Sequence, residues 1–345
     1  MDTTPNTKIW TDLDLDAEGK QIGYFRLPLA VHDRSGDDVG YSFEAIPVVT
    51  IRNGEGPGVL LMAGSHGNEY EGQIILMKLI RELRAEDVRG RIIILPGANA
   101  PAVRADRRNS PLDDGNLNRK FPGDPDGDPT SMIAHLIESE LLTRVDYAFD
   151  LHSGSLSIEY LPCAVVARPS DPDRMGDALD LLRAFGMPTG MIIEHSTGGN
   201  RALIGACRRQ NVQHLSTELG GGGGVSRAAI DIAEHGVMRL LHHVGVTRRP
   251  LTERPPLDCR LLKRVPSWDY IYAETSERGL FEPFVGLGDR VEAGQTTGLI
   301  HFTTAPWREP QPVIAKSGGV ILCRRIPART GLGDCVFVLG KDWTS

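Results

Sequence analysis

From about residue 58 to 247, short apolar runs alternate with amphipathic stretches of helical period. Val59-Leu60-Leu61-Met62 is followed by the glycine-flanked stretch Gly64–Gly72. Leu76, Leu79, Ile80 and Leu83 then recur at i, i+3, i+4 and i+7. That order predicts strand, tight turn, helix. The same reasoning predicts strands at Val59–Ala63, Arg91–Leu95, Tyr147–Leu151, Cys163–Ala167, Gly190–Glu194 and Val212–Glu218. It predicts helices over 70–87, 129–143, 173–185, 201–210 and 226–244. Asp128-Pro129 reads as a helix start, with aspartate as cap and proline in the first turn. Ser226 is placed to cap the last helix, in which Ile230, Ala233, Val237, Leu240, Leu241 and Val244 form one stripe. Alternation of this kind implies an α/β fold with a mostly parallel or mixed sheet.

The pattern differs at both ends. Residues 1–50 form a polar, then β-rich, segment that joins the α/β stretch through the turn Asn53–Gly58, giving a first domain over 1–250. Past Thr247–Pro250 and Pro255-Pro256, helical periodicity stops and glycine turns separate short strands. Within this second domain, 255–345, Gly286-Leu287-Gly288-Asp289-Arg290-Val291 recurs as Gly331-Leu332-Gly333-Asp334-Cys335-Val336. Two copies of one β unit predict a small pseudo-symmetric β sandwich or barrel, similar to the barrel-sandwich of lipoyl carriers. Lys316 lacks the hairpin setting of a modified lysine and reads as a surface residue.

Composition narrows the functional classes. The 345 residues fit about two domains, and 40% hydrophobic content supports a packed core. A net charge of −7 disfavours a nucleic-acid binder. The five cysteines are scattered and form no CxxC, as expected of reduced thiols in a cytoplasmic protein. No secretory pattern is read in residues 1–20, and no apolar run reaches the ~18 residues of a membrane span.

The candidate chemistry lies at strand ends. His66 and Glu69 flank the turn that Gly64 and Gly67 allow. They offer an imidazole nitrogen and a carboxylate oxygen, both natural zinc ligands. Asp150 and His152 close a later strand on one face. His152 completes a set of two histidines and one glutamate, the composition of a catalytic rather than a structural zinc, with Asp150 placed to orient a ligand. The polar loop Arg107–Gly123 carries Asn118-Arg119, suited to hold a carboxylate, and Arg108, suited to polarise a carbonyl. Arg107 competes with Arg108 for that role. Glu218 ends a buried-looking strand before Gly220–Gly224, where an apolar setting raises a carboxyl pKa toward the range of a general base. The glycine run lets the chain pass close to a ligand or move.

His66-x-x-Glu69, Asn118-Arg119, His152 and Glu218 together resemble the succinylglutamate desuccinylase/aspartoacylase family, within the zinc carboxypeptidase fold. The resemblance covers roughly residues 55–345. It implies a zinc carboxypeptidase-like α/β/α catalytic domain with a small β domain over its cleft. It also implies one Zn2+ per chain on His66, Glu69 and His152, a carboxylate clamp of Asn118 and Arg119, Arg108 as the polarising arginine, and Glu218 as the general base. The signatures His66–Gly72, Asn116–Gly123 and Thr217–Gly224 are most similar to a branch acting on Nα-acetyl-L-2,4-diaminobutyrate in ectoine breakdown. The expected reaction is therefore hydrolysis of an Nα-acyl amino acid, a small-molecule substrate, with no nucleic-acid or membrane partner. A homo-oligomer is compatible with it. The alternatives are another deacylase of the family, a metallocarboxypeptidase, or a non-catalytic binding protein on the same scaffold. Glu282, just before the first glycine unit, is placed to meet a substrate amine, or is a solvated loop residue.

Overall fold

The structure is a computed structural model that describes residues 7–29, 42–169, 171–194 and 198–344. The N-terminal expectations for residues 1–6 and 30–41 fall outside these. In chain order the first strands and helices are β1 (Gly19–Leu29), β2 (Ser42–Asn53), β3 (Gly58–Ala63), α1 (Glu71–Glu82), β4 (Gly90–Leu95), α2 (Ala100–Arg104), α3 (Pro129–Leu136) and β5 (Tyr147–His152). Then come β6 (Ile158–Tyr160), β7 (Cys163–Ala167), α4 (Met175–Phe185), β8 (Thr189–Ile193), α5 (Leu203–Arg209), β9 (Gln213–Glu218) and α6 (Arg227–His243). The C-terminal part is all β: β10 (Arg260–Arg264), β11 (Ile271–Tyr272), β12 (Gly279–Pro283), β13 (Arg290–Val291), β14 (Thr296–His301), β15 (Gln311–Ile314), β16 (Gly319–Arg325), β17 (Arg329–Thr330) and β18 (Cys335–Asp342).

A mixed sheet runs β1-β2-β4-β3-β5-β9-β7-β8-β10-β18-β16-β13, with β6 and β11 attached at its side. Its centre is parallel from β4 through β3 and β5 to β9; β7 then runs antiparallel to β9. Period-two alternation along β3 sends Val59, Leu61 and Ala63 to one face and Leu60 and Met62 to the other. The first face packs against α1, α4 and α6, the second against α3 and α5. Both faces are covered, so the central strands read as continuous apolar runs.

The expected helices form with local differences. Asp128 accepts from Ser131 N at 2.9 Å and Ser226 from Ala229 N at 3.2 Å, so both caps act as the sequence implied. The first helix stops at Glu82, and Lys20 Nζ caps it by donating to Ile80 O and Leu83 O. The 129–143 helix leaves α geometry after Leu136 through a π turn over Ile137–Leu141. There the buried Glu138 accepts from both Nε and Nη2 of Arg209, at 2.8 and 2.7 Å, tying this helix to α5.

The segment after Thr247 is not a loose linker. Thr247 is buried and bridges to Val88, Arg248 N donates to Asp87 O, and Leu257 N donates to Gly186 O. It delivers β10 to the free edge of β8, where the two run parallel. β10 pairs in turn with β18, so the main sheet continues into the C-terminal strands. A second, four-stranded antiparallel sheet, β15-β14-β12-β17, completes this part. The repeated glycine units make one and the same turn. Gly286 N donates to Asp289 Oδ2 and Gly331 N to Asp334 Oδ2, at 2.7 and 2.9 Å. Lys316 is exposed and pairs with Glu274, as a surface lysine does.

Candidate active site

The turn between β3 and α1 places His66 and Glu69 at the end of a central parallel strand, where open α/β sheets collect ligands. It is packed tightly from below. A Cβ on Gly67 would stand 2.0 Å from Ala102 O, and Gly67 N donates to Arg107 O, so the backbones of this turn and the following loop touch. His152 arrives from the end of the neighbouring β5, and its register partner on the next strand, β9, is Glu218.

His66, Glu69 and His152 are buried, and one donor atom from each lies within 4.8 Å of the others. His152 Nδ1 is 2.8 Å from Glu69 Oε2, and His66 Nδ1 is 2.7 Å from Glu69 Oε1 without the geometry of a hydrogen bond. The opposite ring nitrogens are occupied. His152 Nε2 lies 2.7 Å from Asp150 Oδ2, and His66 Nε2 3.2 Å from Asn116 Oδ1. Oxygens of Asp150 and Asn116 at the two Nε2 atoms suit an Nε2–H on each ring, which would leave both Nδ1 atoms, beside Glu69, to a metal. The donor set, its burial and the unsatisfied His66 Nδ1 fit a divalent zinc. Burial lowers the His66 pKa, with Glu69 opposing it. Burial also opposes charge on Glu69, but His66 and His152 outweigh it and hold the carboxyl well below its usual range. At His152 burial is outweighed by Asp150 and then Glu69, which raise the imidazole.

Neighbouring loops hold this cluster in place. Ser153 N donates to Glu69 Oε2 at 3.2 Å and Ser155 Oγ to Asn68 Oδ1 at 2.6 Å. Arg108 reaches in from the Arg107–Gly123 loop, its Nη1 donating to Glu69 Oε1 at 3.0 Å, and it lines the cleft. Arg107 points instead toward Asp114 and is not among the cleft-lining residues. Asn118 and Arg119 line the cleft beside them. The Asn118 amide accepts from Leu203 N through Oδ1 at 2.8 Å, which turns its NH2 group inward, 3.4 Å from His152 Nε2.

Glu218 ends β9 with its Oε2 buried and without a hydrogen-bond partner. Burial, and next the charge of Glu69, push its carboxyl up to about 8, against His152, Arg108 and Arg264. The glycines that follow, read from the sequence as letting the chain pass close to a ligand or move, are hydrogen-bonded to the neighbouring segment. Tyr160 N and Gly154 N donate to Gly220 O, Gly222 N to Ile158 O and Gly223 N to Ser155 O. The run is the close partner of the 153–160 loop.

Glu282 is not brought to the cleft. It stands exposed on β12 and pairs with His301 Nε2 at 2.8 Å. The C-terminal part contributes Arg264 instead, at the end of β10, and Tyr160 enters from β6, which is paired to β16. Sequence reasoning missed Asn116, Arg264, Tyr160, His214 and Ser216. His214 and Ser216 had a signal: they precede Glu218 by four and two positions on one strand and so share its face. Arg264 had none, because only the β8–β10 pairing places it.

A buried two-histidine, one-carboxylate cluster facing an unpartnered glutamate and two arginines suits metal-assisted hydrolysis. Residues 55–244 match the family of the succinylglutamate desuccinylase/aspartoacylase catalytic domain, and the chain belongs to that family. Among its relatives, an N-alpha-acetyl-L-2,4-diaminobutyric acid deacetylase from Halomonas elongata is 37% identical over 329 residues, which span 95% of this chain and 94% of that one. A succinylglutamate desuccinylase/aspartoacylase structure from Rhodobacter sphaeroides superposes with a TM-score of 0.89 at 34% identity, covering 98% of this chain and 100% of its own. The product-bound ectoine utilization protein EutE (DoeB) from Ruegeria pomeroyi gives 0.89 at 33% identity, with the same coverage.

Proposed function

We propose that the chain hydrolyses the amide of an Nα-acyl amino acid with one Zn2+ held by His66, Glu69 and His152. The substrate is Nα-acetyl-L-2,4-diaminobutyrate and the products are acetate and L-2,4-diaminobutyrate. The observation that carries this reading is the pairing of that cluster with the unpartnered Oε2 of Glu218, in a chain 37% identical to a deacetylase named for this substrate. When bound, zinc supplies Lewis acidity that polarises the amide and makes a water nucleophilic near neutral pH. Glu218 takes the proton of the attacking water and returns it to the leaving amine nitrogen. Arg108, half-exposed at the cleft and donating to Glu69, stabilises the negative charge that grows on the carbonyl oxygen. Asn118 and Arg119 fix the α-carboxylate, so that one amide alone meets the metal.

The finer architecture belongs to the same proposal. Residues 1–250 form a zinc carboxypeptidase-like catalytic unit, and 255–345 a barrel-sandwich-like unit flanking the cleft. Five free cysteines suit a reducing, cytoplasmic setting, and among the described residues no helix is long and apolar enough to cross a membrane.

Release of primary amine from a substrate panel tests the reading, with zinc measured alongside. Nα-acetyl-L-2,4-diaminobutyrate is expected to exceed Nα-acetylaspartate and Nα-succinylglutamate by at least tenfold in kcat/KM. A preference for either of those would assign another deacylase of the family, and a preference for peptides a carboxypeptidase.

A further inference from the structure

The side chain of an Nα-acyl amino acid leaves the carbon that also carries the carboxylate. With that carboxylate on Asn118 and Arg119, the side chain falls next to the clamp. Leu203, whose N–H holds Asn118, continues as Ile204 into an apolar wall faced by Val165, Ala167 and Met191. A distal ammonium entering there sheds water and requires an acceptor. Glu282 lies elsewhere. At the back of this wall are His214 and Ser216 of β9, on the face that presents Glu218. His214 Nδ1 is buried and has no hydrogen-bond partner. The register sets Ser216 opposite Asp150, a buried carboxylate that also lines the cleft. Behind His214, Ala167 and Ile204, a second cavity of about 210 Å³ begins, so these three side chains form the rear wall of the subsite.

We infer that His214 is a specificity-determining residue whose imidazole accepts a hydrogen bond from the distal ammonium of a diamino-acid substrate, beside Ser216 and with Asp150 as counter-charge. This rests on the deacylation reading above. The ring is in the right form for it. Burial, aided by His152 and Arg208 and opposed by Asp150, lowers its pKa to about 4, which leaves a neutral imidazole with a free lone pair.

The test compares Nα-acetyl-L-2,4-diaminobutyrate with Nα-acetyl-L-norvaline, in which a methyl replaces the ammonium. Wild-type enzyme is expected to favour the diamino acid. His214→Phe should lower the ratio of the two kcat/KM values at least tenfold, and His214→Asn, which keeps an acceptor, should restore part of it. A ratio unchanged in His214→Phe, with both substrates falling together, would make His214 structural and overturn the inference. So would a wild type that turns over both substrates equally. A wild type that deacylates neither refutes the deacylation reading and this role with it. Nitrogen-15 histidine spectra of the zinc-loaded wild type supply a readout that depends on no variant's folding. L-2,4-diaminobutyrate should move one neutral imidazole resonance that L-norvaline leaves in place, and identical shifts with both amino acids would also overturn the inference.

Discussion

Glu218 takes its protonation behaviour from its surroundings. Its ordinary carboxyl value of 4.5 rises to about 8 because burial penalises the anion and Glu69 repels it. A dication held by His66, Glu69 and His152 would pull the value back down and so couple electrostatically to Glu218. Glu218→Gln keeps shape and loses the basic oxygen. The expected outcome is retained zinc and substrate binding, kcat lower by at least ~10²-fold, and loss of the acid limb of the pH–rate profile. Near-normal kcat would leave the reaction without this base. The metal-free protein adds a stability readout. A folded pKa above the unfolded one gives stability that is present below pH 4.5 and is lost as pH climbs through about 8. The Tm of Glu218→Gln should therefore gain on that of wild type as pH rises from about 4.5 to about 8 and then stay level. A gap independent of pH would mean that Glu218 ionises freely.

At the scale of elements, the site depends on two segments laid against each other, the loop and strand of residues 153–160 and the glycine turn of 219–224. Gly221 has φ +135°, and a Cβ there would stand 2.2 Å from Ile158 O and 2.7 Å from Gly154 Cα. Backbone stands on both sides, so nothing swings away to make room. Gly224 is the internal control, since a Cβ there meets nothing within 4 Å. Gly221→Ala is expected to cost about 1–3 kcal/mol or more by denaturant unfolding, and to lower kcat by displacing the end of β9. Gly224→Ala should stay within about 0.5 kcal/mol. Equal stabilities for the two variants would show that the run is a passive linker.

At the scale of the whole molecule, the C-terminal strands are an extension of the catalytic sheet. β10 covers the edge of β8, and Leu262, Val320 and Leu322 share a buried cluster with Cys163, Val165 and Met191. The same strand ends on Arg264 in the cleft. A chain cut after residue 250 would uncover a central apolar strand edge, which is an aggregation hazard. The 1–250 fragment is expected to aggregate or to unfold without cooperativity, as read by size-exclusion chromatography and thermal circular dichroism. A monomeric fragment with a sharp transition would establish two independent units.

The sequence by itself determined the main elements and pointed to the cluster of His66, Glu69 and His152, which could hold a metal. Period-two and period-3.6 patterns are local, as are the caps at Asp128 and Ser226, so they were legible one segment at a time. His66, Glu69 and His152 were legible because a short turn and a strand end each fix where their side chains emerge. Whatever depends on strand order was decided by the tertiary structure. β9 lies between β5 and β7, which sets Glu218 opposite His152, and β10 joins β8, which carries Arg264 to the cleft. The place of Glu282 was decided in the same way: its neighbours in sequence say nothing of which sheet β12 joins, and it joins the second, where His301 pairs with its carboxylate. Strand alternation puts His214 on the face of Glu218, but says nothing of what that face meets. The chemistry of such residues is defined by burial and by the groups that other strands bring against them, both of which arise only when the chain closes on itself.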